Sequence, residues 1–422
     1  MKLYIGINSG ALGADNQTLA LLNALKSRAI RSRSIFFDSP DKNLLKTDKE
    51  AFKQTLRASL DSLYAAKNNY PRMFVLPFIQ GNDEESFAYV EAVSQNIKEY
   101  YKQKKLKAPK TIVLTSRYPN KTHRCPSVDI INVGAHMMSD EDKKDLAVNK
   151  ELKNRLVITT GVAGYITPEI LAAEAEKHAA EIQKFRDGRS VALFSVGGRD
   201  ELNNIKFSIR DAEKLLRRAK EIQKAGWHVV MTNGPRTPTD VTDYLYENCK
   251  NSGMYFYNAK SVIEPGKTFS EEEKERNFRI YDGKYQDVFR KQAAETGNIY
   301  KALLFLCQNK GLFVGTMDSF SYTSDAAVLG IKTAVYSGME INENRSDCRN
   351  LYDDCLQKGC ILDFEKTDLK KLLDGKALVR LPSVTDQIVN FVIQKGRRYL
   401  FPKKQKMPNN VLKLLCHNLK LR

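Results

Sequence analysis

The sequence predicts an α/β protein of two Rossmann-like domains whose parallel sheets face a central cleft. Three observations predict it. Short apolar runs alternate with amphipathic stretches along most of the 422 residues, and parallel strands need helical crossovers. The series stops at the polar segment Asp187-Gly188-Arg189-Ser190 and restarts at once. A chain of this length has room for two to three domains at roughly 150 residues each.

Taken in order, Lys2–Ile7 reads as a strand, followed by a Gly/Ala turn and a helix from about Asn16 to Ser27. Strands are expected at Ile35–Phe37, Met73–Phe78, Thr111–Leu114, Ile130–Val133 and Leu156–Thr159, with helices between them. One long helix is expected from Pro168 to about Phe185. The second series opens with strand Val191–Val196, Gly197-Gly198, helix Ser208–Ala225 and strand His228–Met231. Apolar runs at Ala302–Cys307, Gly311–Val314 and Thr333–Tyr336 continue it. Residues 264–290 are charged and tyrosine-rich and read as an insertion carrying a helix. Ser383 is placed to cap a helix to about Gln394. The expected domains are 1–186 and 187–382, both Rossmann-like, and 383–422 as a helix plus basic tail.

Composition narrows the class. Hydrophobic residues at 42% and charged residues at 28% exclude a disordered chain. The early turn to glycine and polar residues is unlike a signal peptide, and no apolar run is long enough to span a bilayer. Seven scattered cysteines suggest free thiols in a reducing cytosol. The net charge is +18, and residues 395–422 carry nine basic residues and no acid. A helix over Asn409–Leu421 would gather Val411, Leu412, Leu415 and Leu419 on one face behind Lys403-Lys404-Gln405-Lys406. That pattern suits either an anionic membrane surface or docking on the first domain. Nucleic acid is not expected, because charge alone supports it and no aromatic-basic motif accompanies the charge.

Four turns follow expected strands, where open α/β sheets bind ligands. The first, Ser9–Gln17, holds Gly13, Asp15, Asn16 and Gln17 and lacks the spacing of a dinucleotide fingerprint. In the second, Gly197-Gly198 lets a phosphate approach the backbone and Arg199 offers a charge-assisted bond. The third turns Arg236 and the Thr237 hydroxyl toward the same crevice. The fourth, Gly315–Ala327, brings Asp318, Ser319 and Ser321 to the start of a helix, where free N–H groups suit a diphosphate. Asp325, further along, could accept both hydroxyls of a ribose. Asp140-Glu141-Asp142 spells a metal motif but sits in a charge run and reads as solvated loop. His123, Cys125, Cys348, Cys355 and Cys360 lack closed zinc spacing, so no metal is expected. There is no nucleophile elbow.

With those pieces in order, the chain resembles the family of glycosyltransferase-like proteins named after a plant mitochondrial-fission protein. The matching residues are Gly13, Asn16-Gln17, His136, Thr160-Gly161, Thr167-Pro168, Gly197-Gly198, Arg236-Thr237-Pro238, Asn298, Tyr300, Asp318-Ser319, Ser321 and Ser324-Asp325-Ala326. The resemblance implies a GT-B-like fold, with the sugar nucleotide on the second domain and the acceptor on the first. It also implies distant similarity to the enzyme that adds N-acetylglucosamine to lipid-linked muramyl peptide, with Asp325 on the ribose. Met317, Met137 and Ala14 depart from the family pattern on the acceptor and catalytic side.

The expected activity is therefore transfer from a nucleoside-diphosphate sugar to a lipid-linked saccharide or lipopolysaccharide core. Asp15 and His136 are the candidate bases, Gly13, Asn16 and Gln17 the acceptor side, and Arg199 and Arg236 the partners of the leaving diphosphate. The donor is a substrate, and no cofactor is expected. A cytoplasmic location is expected, peripheral to a membrane if the tail binds one. The alternative is a non-catalytic scaffold or membrane-remodelling factor on the same fold.

Overall fold

The computed structural model describes residues 2–8, 12–28, 32–38, 42–65, 74–79, 84–115, 118–119, 124–164, 166–198, 205–234, 237–257, 299–341 and 346–400. The insertion at 264–290, the tail beyond 400, Arg199 and Arg236 lie outside them.

The first half alternates β1 (Lys2–Asn8), α1 (Leu12–Ser27), β2 (Ser32–Asp38), α2 (Lys42–Thr47), α3 (Lys49–Ala65), β3 (Phe74–Ile79), α4 (Glu84–Gln103), β4 (Lys110–Thr115) and β5 (Ile130–Gly134). A 3-10 turn (Ala135–Met137), α5 (Asp140–Val148), α6 (Lys150–Arg155) and β6 (Leu156–Thr159) complete it. All six strands are parallel, in the order β2-β1-β3-β4-β5-β6. β4 and β5 are almost wholly buried, as strands covered by helices on both faces must be.

Next come α7 (Pro168–Lys177), α8 (Ala179–Ile182) and a 3-10 turn (Gln183–Phe185). The single long helix expected here is interrupted at His178, whose backbone leaves helical geometry (φ −104°, ψ 25°). Its buried ring meets Glu181 at 3.3 Å across that break.

The second half holds β7 (Val191–Val196), β8 (Ile205–Lys206), α9 (Ile209–Lys224), β9 (His228–Asn233), α10 (Thr239–Asn251) and β10 (Tyr255–Tyr257). After the insertion come α11 (Ile299–Leu306), β11 (Leu312–Thr316), α12 (Phe320–Leu329), β12 (Lys332–Tyr336), β13 (Glu340–Ile341), α13 (Ser346–Gln357), β14 (Leu362–Asp363) and α14 (Leu369–Leu373). Six parallel strands run β10-β9-β7-β11-β12-β14. Renumbered within the sheet, that is the 3-2-1-4-5-6 order of a Rossmann fold. β8 and β13 form a separate antiparallel pair. Ser208 caps α9 reciprocally with Asp211, a capping box.

The run Ala302–Cys307 is not a strand. It lies in and just after α11, whose sequence IYKALLFL is rich in helix-forming Ala and Leu. Its buried side chains join Leu171 and Ala175 of α7 in one core. A short run apolar on all sides carries no period that separates strand from helix. Of Asp140-Glu141-Asp142, the first two are exposed and Asp142 is half-buried, and together they are the first turn of α5 rather than a loop, where acids complement the helix dipole and Ser139 supplies the cap.

α15 (Val384–Leu400) turns back across the molecule. Ser383 caps it, its Oγ accepting from Asp386 N at 3.1 Å. Val384, Ile388, Val389 and Val392 enter the same core as Leu21, Leu22 and Leu25 of α1. Each such side chain contributes about 1.5–3 kcal/mol of burial. Arg28 pairs with Asp386 beside them. The last described helix thus belongs physically to the first half. Among the described residues, no helix is long and apolar enough to cross a membrane.

Candidate active site

The Rossmann order of the second sheet has its switch point between β7 and β11, so the crevice opens at Gly197-Gly198 and Thr316–Ser319. The two loops are cross-linked there. Thr316 Oγ1 accepts from Gly197 N at 2.9 Å and donates to Asp318 Oδ1 at 2.6 Å. Asp318 Oδ2 accepts from Gly198 N at 3.1 Å. A Cβ on Gly197 would stand 2.0 Å from Asp318 Oδ1, which explains the glycine. Ser319 N donates to Thr316 O at 2.9 Å, closing a turn.

The Gly197, Gly198 and Ser319 N–H groups are thus already bonded within the chain rather than free for a phosphate. Thr237 is likewise engaged. Its fully buried hydroxyl donates to Gly197 O at 2.8 Å and accepts from Gly234 N at 2.9 Å. It is a latch between loops rather than a crevice contact. Ser321 is exposed on the first turn of α12.

Asp325 is one turn further along. No donor among the described residues bonds to it. Burial pushes its carboxyl up to about 7, with Lys301 of α11 pulling the other way. It faces the seam between the halves, where it lines a cavity of about 90 Å³ with Val162, Gly164, Thr167, Ser383 and Thr385. Larger hollows exist, such as one of about 670 Å³ lined by Leu45, Phe52 and Phe87. They lie against the outer helices of the two halves, away from the seam. The ends of the strands, where backbone dipoles converge, decide the site instead.

His136 sits in the 3-10 turn after β5, as a strand-end residue should. It is buried, and that burial lowers its pKa to about 4 against the opposing charges of Asp347 and Asp354. Its ring folds over Gly134, where a Cβ would stand 2.4 Å from Cε1. Its carbonyl accepts from Asn350 of α13 at 3.3 Å. The ring is neutral at pH 7 and faces the second half. Gly13, Asp15 and Asn16 lie in the first turns of α1, close to the positive end of its dipole, and Gln17 is half-buried. Asp15 is inside the helix rather than at its cap.

The seam itself holds residues that the sequence reading did not single out for it. Thr160 donates to Asp354 at 2.8 Å and accepts from Lys358 at 2.7 Å. Lys358 also bonds Asp354 at 2.7 Å, closing a ring across the halves. Val162 N donates to Ser324 Oγ at 3.2 Å, and Thr385 donates to Gly164 O at 2.6 Å. Gly164 approaches so closely that a Cβ would stand 2.4 Å from Asp325 Oδ1. Only the small residues of 160–164 hinted at such an approach.

The profile of the family described as Mitochondrial fission ELM1 matches residues 12–269, more than half of the chain. The chain belongs to the mitochondrial fission ELM1 family. No curated protein sequence is detectably similar to it. Solved structures of similar arrangement include the UDP-GlcNAc 2-epimerase of Methanocaldococcus jannaschii in complex with UDP-GlcNAc and UDP. It is 12% identical, with a TM-score of 0.42 over 94% of this chain and 100% of that one. A ugt transferase from Siraitia grosvenorii in complex with UDP is 12% identical, with a TM-score of 0.44 over 96% of each chain. The E. coli ADP-heptose lps heptosyltransferase II is 9% identical, with a TM-score of 0.37 over 94% of this chain and 100% of that one. Those identities are too low to transfer a residue's role. In this ELM1-family chain the two parallel sheets make the fold GT-B-like, and the family match takes in most of the first half and the start of the second.

Proposed function

We propose that this chain is a glycosyltransferase that binds a nucleoside-diphosphate sugar at the seam. The observation that carries the reading is Asp325: a half-buried carboxyl at the seam, unbonded by any described donor and with its pKa pushed up, on the helix beside the switch point. A half-buried carboxyl with a perturbed pKa in a cleft marks a functional site, and two ribose hydroxyls would supply the donors it lacks. The C-terminal ends of the second sheet then take the diphosphate, with Arg199 and Arg236 neutralising it without a bound metal.

In the transfer, a base on the first half takes the acceptor hydroxyl proton. The acceptor oxygen then bonds the anomeric carbon as the bond to the diphosphate breaks, and the nucleoside diphosphate leaves. Asp15, in the first turn of α1, is the better candidate base, because His136 is folded over its own strand end. The acceptor is a lipid-linked saccharide or lipopolysaccharide core, approached from an anionic membrane surface through residues 395–422.

A second reading is favoured by the loops at the switch point. Gly197, Gly198 and Ser319 spend their N–H groups on the chain's own Thr316 and Asp318, as a scaffold that had abandoned the diphosphate would. Measuring nucleoside diphosphate release from sugar donors, with a detergent-solubilised lipid-linked acceptor present, separates the readings. Release that is lost in Asp15→Asn supports transfer. Nucleotide binding without release under any donor supports the scaffold.

A further inference from the structure

Residues 160–164 form a strap across the proposed nucleotide site. Resting on the nucleotide reading above, we propose that this strap is an autoinhibitory latch, and that its release from the second half admits the donor to Asp325.

The geometry has three parts. The first is occlusion. Gly164 presses on Asp325, a Cβ there falling 2.4 Å from Oδ1, and a Cβ on Gly161 would stand 3.0 Å from Ser324 Oγ. The backbone of the strap thus covers the face of α12 that a ribose would take. The second is volume. About 90 Å³ remains beside Asp325, whereas small-molecule sites occupy about 300–1,000 Å³. A nucleotide does not fit until the strap moves.

The third is where the strap is anchored. Ala163 is buried in the core shared by α1 and α15, and Thr385 of α15 holds Gly164 O. These contacts tie the strap to the first half. Apart from Gly161, which lies against Leu381 of that half's core, what ties it to the second half is polar: the ring of Thr160, Asp354 and Lys358, and the Val162 N to Ser324 Oγ bond. The Asn350 to His136 O bond crosses the same line. Polar contacts exchange with water far more readily than a buried apolar core does. The molecule therefore has a natural parting line, with the strap, α15 and the first half on one side and α12 and α13 on the other. A site open for only a fraction of the time binds with its affinity reduced by that fraction. Weakening the latch must then tighten nucleotide binding.

The test uses the full chain with Thr160→Val, which keeps shape and loses the ring, and separately with Asp354→Ala. Affinity for UDP and the other nucleoside diphosphates is measured by titration, and backbone hydrogen exchange is followed over 158–164 and 319–329. The expected result is at least threefold tighter binding and faster exchange in both segments. A double variant, Val162→Cys with Ser324→Cys, should lose binding on oxidation and regain it on reduction. Unchanged exchange, or unchanged affinity in variants that still lose the nucleotide on Asp325→Asn, overturns the latch. Faster exchange with no nucleotide bound by any variant upholds the parting line and overturns the nucleotide reading instead.

Discussion

Two neighbouring regions of the second half look alike in sequence and differ in physics. At the switch point, Gly197, Gly198, Thr237, Thr316 and Asp318 form a closed network in which donors meet acceptors within the chain. One turn along α12, Asp325 is half-buried, has its pKa pushed up by that burial, and finds no donor among the described residues. Both regions are small-residue, polar segments at strand ends. The first has the character of a joint, because satisfied buried groups rigidify. The second has that of a site, because a carboxyl with a shifted pKa and no partner in the described chain is one that a ligand can bond.

The comparison breaks most visibly at the joint. Asp318→Ala strips an acceptor from Gly198 N and Thr316 Oγ1, and buried orphans cost about 1–3 kcal/mol each. A loss of about 2–5 kcal/mol is expected by denaturant titration, with Gly197→Ala close behind through its clash with Asp318. If instead a phosphate normally displaces Asp318, the loss shrinks towards zero when nucleotide is present.

Asp325→Asn should act in the opposite sense. Its folded pKa of about 7 lies above its ordinary value of 3.8. The folded state therefore holds the proton longer, and stability falls as pH rises from about 4 to 7. With solvent screening discounted, Asp325→Asn gains on the order of 2 kcal/mol at pH 8 and no stability at pH 4, while losing nucleotide affinity at least tenfold.

His136 runs the other way. Its folded pKa of about 4 lies below the ordinary 6.5, so its contribution is present above pH 6.5 and is lost as pH falls towards 4. His136→Asn should flatten that acid limb in a urea-melt pH series. The smallest effect is expected from Arg28→Ala, whose partly exposed pair with Asp386 is worth up to about 1 kcal/mol.

The regular elements were legible because their signals are local. Val191–Val196 and Ile130–Val133 are continuous apolar runs, and the Ser383 cap lies beside the helix it starts. Ala302–Cys307 misled because a short apolar run fits strand and helix alike. The break at His178 escaped because no Gly or Pro marks it. Candidate site residues were found as strand-end residues, but not their partners. Asp318 meets Gly198 across 120 positions, and Ser324 meets Val162 across 162. No spacing in one sequence encodes such a pair, so whether an N–H is free for a ligand or bound to a distant side chain emerges only in three dimensions.

The most direct test of the central claim is thermal unfolding of the full chain with UDP, GDP, CMP, ADP or dTDP, beside Asp325→Asn. A ligand that binds only the folded state adds about 2.7 kcal/mol at a hundredfold excess over Kd. The account predicts that one nucleotide raises the wild-type transition and leaves Asp325→Asn unmoved. An unmoved wild type at millimolar nucleotide, or an equal rise in Asp325→Asn, would contradict it.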